Sequence, residues 1–317
     1  MGLEDLAKRL ADVGRLGMTP ALAEKLKLRS EDAIRGQLMS MTDGDRGPLG
    51  VYFLAIYVVD DTDLFDDGEI YWWSIPVLVD TKGKASWSPV SGLPAGATPH
   101  KCGSQEWMTN LSLSDPPLLA VIPEDPEVAA CVVRLAIYDD DGKPADLGTA
   151  ISEGHDAISS CVREGLPGAG QIIVPVRDAI YKSLKAEDDD ILIDEDITIR
   201  RGESARFNVG LIGSMVSAKA RAYFVVRDEL LTETGGPIGL RKGEVGRITF
   251  ASELKRGGRV SVFARGADVE CPVFGNLTTD MPFVGKILDE RLVKTLAGGF
   301  DVTGRGPAKV VAFYTPP

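Results

Sequence analysis

Two clusters of carboxylates are the residues of this chain best suited to chemistry. The first is Asp60-Asp61-Thr62-Asp63-Leu64-Phe65-Asp66-Asp67, and the second is Asp139-Asp140-Asp141 followed by Asp146. Carboxylates this close together repel one another unless a cation joins them. Calcium suits them best, because it takes about six to eight oxygens at roughly 2.3–2.6 Å, mostly from carboxylates and carbonyls. A D-x-D step on an extended or turning backbone points alternate side chains the same way. Asp139 and Asp141 are therefore placed to share one ion, and Asp146 lies far enough on to close the loop back onto it. Asp61 and Asp67 are placed to flank the ion from a neighbouring loop. Magnesium suits this set less well. An EF-hand is excluded, since neither cluster carries D-x-D-x-D-G with the required later Glu. The plain alternative is a pair of solvated acidic turns, because Asp and Gly are turn residues in their own right.

Each cluster follows a strand-like run that delivers it. Val51–Val59 is rich in β-branched and aromatic residues, and Val132–Tyr138 runs straight into Asp139. Ile70–Val79 and Trp107–Leu113 lie between them. Further on come Ile197–Ile199, Ala205–Leu211, Ala220–Val226, Arg247–Phe250, Val260–Phe263 and Lys309–Phe313, separated by Gly-rich turns. Short strands broken by turn chemistry predict a mainly β chain with a β-sandwich and a second β-rich domain. Two departures are expected. Leu3, Leu6, Leu10 and Val13 recur at helical spacing, and Thr19-Pro20 and Ser30 read as further helix starts. Near the C-terminus, 286–297 is predicted as a helix stopped by Gly298-Gly299. The expected organisation is a helical N-terminal region over 1–46, a β-sandwich over 47–186, an acidic linker over 187–196 and a second β-rich, basic domain over 197–317.

The stretch Ile137-Tyr138-Asp139-Asp140-Asp141-Gly142-Lys143-Pro144-Ala145-Asp146-Leu147-Gly148 resembles the third loop of C2 domains, in which a strand ending in Trp or Tyr is followed by D-x-D and then D-x-I-G. Gly50 to Val58 followed by Asp61 and Asp67 resembles that family's first strand and loop, and Trp107 to Leu113 is a loose counterpart of its W-N strand. The family's S-D-P-Y is missing after the first loop, the third loop is about one residue short, and no lysine-rich strand is visible. The resemblance spans roughly residues 47 to 173. It implies an eight-stranded antiparallel sandwich with calcium held between loops at one end. For many family members it also implies docking to phospholipid or protein.

Composition bounds the rest. With 317 residues, 44% apolar and 26% charged, the chain can build a sizeable core. Charge is divided unevenly. Residues 200–317 hold 18 Lys+Arg against 12 Asp+Glu, a balance of +6, which leaves −18 for the residues before them out of a net −12. An acidic piece and a basic piece of one chain can attract each other, within a copy or between copies. No apolar run approaches the length of a spanning helix. Glu4 and Asp5 stand where a signal peptide is basic. A cytoplasmic chain is expected, with peripheral membrane contact as an extension. The four cysteines, Cys102, Cys131, Cys161 and Cys271, form no C-x-x-C pair and are expected to be buried thiols.

Other chemistry finds little support. His100 and His155 are the only histidines, too few for a zinc site, and a His155–Cys161 dyad has no further partner in the sequence. Gly210-Leu211-Ile212-Gly213-Ser214 is no nucleophile elbow. Arg200-Arg201, Arg241-Lys242, Lys255-Arg256 and Arg259 lack the interleaved aromatics of a nucleic-acid surface. The sequence therefore points to a non-enzymatic, calcium-responsive binding or assembly module. Asp61, Asp67, Asp139, Asp141 and Asp146 are its expected ligands, and an anionic membrane or protein its expected partner. A subunit that self-assembles through acidic–basic contacts, without an ion, is the first alternative. A hydrolase is the second.

Overall fold

The computed structural model describes residues 48–60, 68–80, 85–87, 91–92, 100–109, 111–123, 127–139, 190–200 and 209–317. The expected N-terminal helices lie outside them. The strands of the N-terminal half are β1 (Leu49–Val58), β2 (Gly68–Asp80), β3 (Ala85–Trp87), β4 (Ser91–Gly92), β5 (His100–Cys102), β6 (Glu106–Trp107), β7 (Leu118–Ile122), β8 (Val128–Asp139) and β9 (Asp190–Arg200). They are followed by β10 (Ile212–Val216), β11 (Ala220–Asp228), β12 (Glu233–Leu240), β13 (Val245–Ile248), β14 (Arg259–Gly266), β15 (Val269–Glu270) and β16 (Phe283–Ile287). The short helix α1 (Glu290–Thr295) precedes β17 (Phe300–Gly304) and β18 (Ala308–Thr315). The protein is mainly β, as the strand spacing predicts, and all named strand pairs are antiparallel.

These strands form four sheets. Sheet I has the order β10-β11-β1-β6, with β7 also on β1; sheet II runs β3-β2-β8-β9, with β4 and β5 on β2. Sheet III is β12-β18-β14-β16, and sheet IV is β13-β17-β15. Sheets I and II close on one core that includes Val51, Phe53, Trp72, Val133, Ile137 and Ile197. Sheets III and IV close on another that includes Val260, Val262, Phe300, Val302 and Val310. A third core, with Tyr52, Leu54, Tyr223, Phe263, Val311 and Phe313, joins sheet I to sheet III. Each fully buried Leu, Val or Phe in these layers contributes about 1.5–3 kcal/mol.

Strand β1 shows how one short sequence serves two cores. Leu49, Val51 and Phe53 face sheet II, while Tyr52 and Leu54 face sheet III. Strict alternation would then send Ala55 back toward sheet II. The register slips between Phe53 and Ala55, a bulge that adds one residue to β1. Ala55 therefore joins Leu54 on the sheet III side, and Ile56 and Val58 return to sheet II. Without that slip the next apolar residues would point into the wrong layer.

Within the acidic stretch 187–196, the described residues 190–196 are strand. Asp190–Arg200 is β9, paired with β8 over its whole length, and Arg134 of β8 meets Asp194 of β9 at 2.5 Å in a nearly buried ion pair. C-terminal to it, β10 and β11 pair into sheet I, where β11 lies directly against β1. The helix predicted over 286–297 is shorter than its periodicity suggests, because its first residues complete β16. Asp289 caps α1 by accepting a hydrogen bond from the Leu292 N–H at 2.8 Å. Gly298 and Gly299 then take φ values of 80° and 104°, which only glycine adopts without strain.

Candidate cation site at the acidic end of the first sandwich

The antiparallel pairing of β2 with β8 sets what the end of the first acidic cluster and the start of the second lead to. Ile70 lies opposite Asp139, so the start of β2, just after the first acidic cluster, meets the end of β8, just before the rest of the second. The contact is direct. The Asp139 carboxylate is fully buried, and its Oδ1 accepts a hydrogen bond from the Glu69 backbone N–H at 2.5 Å. Gly68 packs against the same group so closely that a Cβ there would meet both carboxylate oxygens, with Cγ only 2.9 Å away. Glycine at 68 is what lets the backbone approach.

The register extends this row. Asp190 of β9 lies opposite Asp139 on the far side of β8, and His100 of β5 lies opposite Ile70. Lys101, exposed, pairs with Glu69. One end of sheet II therefore gathers Asp139, Asp190, Glu69 and Lys101 within neighbouring register positions. Asp61, Asp67, Asp141 and Asp146 lie outside the described residues, as do His155 and Cys161. Among the described residues no cluster of three or more His, Cys, Asp or Glu is close enough to hold a metal. A buried carboxylate whose Oδ1 receives a backbone N–H suits the root of a cation site, where it fixes the strand from which D-x-D departs. Further oxygens would have to come from the loops.

On the opposite face of sheet I, Trp107 of β6 sits across from Tyr57 of β1, with ring centroids 5.1 Å apart. It also contacts Tyr223 and Phe263 at 5.7 and 6.1 Å. The turn after Trp107 is held from the C-terminal half. Arg265 of β14 is buried, and its guanidinium donates to the carbonyls of Leu111, Thr109 and Met108 at 2.5, 3.2 and 3.4 Å. Burial pulls its pKa below the ordinary arginine value. No run of charge in the sequence singles out Arg265. Its only signal is a cation near the end of the largely apolar β14, whose first residue, Arg259, is also basic.

The same holds for Arg227, buried near the end of β11 with its guanidinium 4.7 Å from the Tyr52 ring centroid. Tyr71 and Tyr138 face each other across β2 and β8 as a stacked pair, 5.5 Å apart, and both are buried along with Trp72. Cys102, Cys131 and Cys271 are buried, and burial pushes the Cys131 thiol up to about 12. A thiol so placed is no nucleophile near neutral pH.

Stacked antiparallel β-sandwiches are the class of protein this fold defines. No protein-family model matches the sequence, and no curated protein matches it. Among solved structures, human GIVD cytosolic phospholipase A2 in complex with methyl gamma-linolenyl fluorophosphonate aligns at a TM-score of 0.23 and 12% identity, over 86% of this chain and 32% of that one. The structure of that human phospholipase with the inhibitor and terbium chloride aligns at 0.22 and 10%, over 86% and 33%. The chain thus spans about a third of the length of those structures. Superposition at this level assigns neither a shared topology nor an activity.

Proposed function

We propose that this chain is a binding and assembly module, without catalytic chemistry of its own, that responds to calcium at the acidic end of its first sandwich. Asp61, Asp67, Asp141 and Asp146 supply loop oxygens, and Asp139 anchors the site to the sheet. Without the ion, the acidic end repels anionic surfaces. With it, the loops become ordered and less negative, and an anionic phospholipid surface or an acidic protein face can approach. The reading places the protein in the cytoplasm, in peripheral contact with a membrane when loaded.

One observation carries this reading. The contact of Asp139 with Glu69 and Gly68 brings the roots of both acidic clusters to the same end of the same sheet. Two solvated turns at opposite ends would have no such reason to meet. Co-sedimentation with liposomes tests the docking step. Calcium-dependent pelleting on anionic vesicles, absent on neutral vesicles and in chelator, is the expected result. Equal pelleting with and without calcium would remove the proposed switch.

A further inference from the structure

One flank of the molecule is formed by two strands that each end a sheet, β10 in sheet I and β16 in sheet III. They lie side by side. A Cβ at Gly285 in β16 would strike Leu211 at the entrance to β10. At the other end, Arg221 on β11, the register partner of Val216, reaches Asp280 just before β16 at 2.9 Å. Among the described residues, three of the five large apolar side chains that stand exposed fall on this flank: Val216 at 59%, Met281 at 68% and Ile287 at 49%.

Terminal strands of soluble proteins are usually blunted by charge or proline, because their open backbone groups invite pairing. Strand β10 contains neither. Strand β16 contains one charge, Lys286, and it is turned away from the edge. Its Nζ donates to the Val273 carbonyl at 3.4 Å and lies 5.8 Å from the Phe274 ring centroid. Among the described residues the flank thus combines two strand edges with no strand paired to them, exposed apolar groups and one ion pair whose side chains are 26% and 84% exposed.

We infer that a second copy of this chain covers this flank in a two-fold contact. The charges select that occupant. Val216 and Met281 bracket a cation and an anion set side by side, and a two-fold axis presents the same pair inverted. Arg221 then faces the partner's Asp280, and Asp280 faces the partner's Arg221. A partner of one charge sign would meet repulsion from one member of the pair. Isologous contacts require such self-complementarity, and antiparallel edges meet the backbone requirement for strand addition. The inference does not depend on calcium.

Sedimentation equilibrium of the full chain in chelator, over a wide concentration range, tests it. A reversible dimer is expected. Val216→Asp and Met281→Asp, both at exposed positions, are expected to weaken it by roughly tenfold or more, equivalent to about 1.4 kcal/mol, with the melting temperature unchanged. Arg221→Asp is expected to weaken it and the Arg221→Asp/Asp280→Arg exchange to restore it. A monomer at every concentration overturns the inference. So does a dimer indifferent to both apolar substitutions.

Discussion

Oδ1 of Asp139 accepts a hydrogen bond from the backbone N–H of Glu69 at 2.5 Å, across 70 residues of sequence. That bond ties the end of β8 to the start of β2. Its geometry depends on Gly68, whose missing Cβ leaves room for the carboxylate. Gly68→Ala forces either the buried carboxylate or β2 to move, and overpacking of this kind costs about 1–3 kcal/mol. Urea unfolding is expected to show a lower midpoint with an unchanged slope. Asp139→Asn keeps a carbonyl oxygen able to accept from Glu69 and is expected to cost less than Gly68→Ala. The reverse order would show that the charge of Asp139, rather than its shape, holds this end together.

Arg265 is the cation that closes the seam between the N-terminal sandwich and sheet III. Arg265→Met keeps the apolar stem and removes every donor, which leaves the carbonyls of Met108, Thr109 and Leu111 without their guanidinium. A loss of about 2–4 kcal/mol is expected, since each buried acceptor left unpaired costs about 1–3 kcal/mol before relaxation. Trp107 emission is expected to shift to the red as its turn loosens. Arg265→Lys is expected to fall between wild type and Met, because one ammonium cannot reproduce the fork. An unchanged midpoint for Arg265→Met would mean that apolar packing alone holds the seam.

Alkaline pH is expected to destabilise the fold. Burial raises Cys131 from 9.0 to about 12, and burial also leads the upward shifts of Cys271, Tyr223 and Tyr314. In each case the folded pKa lies above the unfolded one, so the unfolded chain loses its proton first as pH rises. The stability these groups support is complete below the unfolded values. For Cys131 it declines from about pH 9 toward about 12. Thermal melts across that window are expected to fall steadily, and Cys131→Ala is expected to flatten part of the slope. Alkylating reagents are expected to leave Cys131 untouched at mildly alkaline pH until the protein is unfolded. Rapid modification of native protein would contradict the buried placement.

How much of this was legible in the sequence varies by element. The runs Val51–Val59, Val132–Tyr138, Ala220–Val226 and Val260–Phe263 announced themselves because strands buried on both faces read as continuous apolar stretches. Strand β9 did not, because Asp194, Glu195 and Asp196 look like a solvated connection; their backbone pairs with β8, where Arg134 meets Asp194. Strand β12 carries glycines and a proline, which local propensity assigns to turns, and only its pairing with β18 makes it a strand. Periodicity over 286–297 reads as helix, but its first residues are strand because β14 pairs with 283–287. That the start of β2 meets the end of β8 rests on their antiparallel pairing, which no local pattern specifies. Arg265 and Arg227 could not be found from charge runs, because each acts as a single cation buried by contacts distant in sequence.

Isothermal titration of metal-free protein with calcium shows whether the acidic end takes the ion. Saturable heat is expected for the wild type, and its loss or marked weakening for Asp141→Asn at unchanged melting temperature. No calcium heat in the wild type would mean that the acidic clusters hold no calcium.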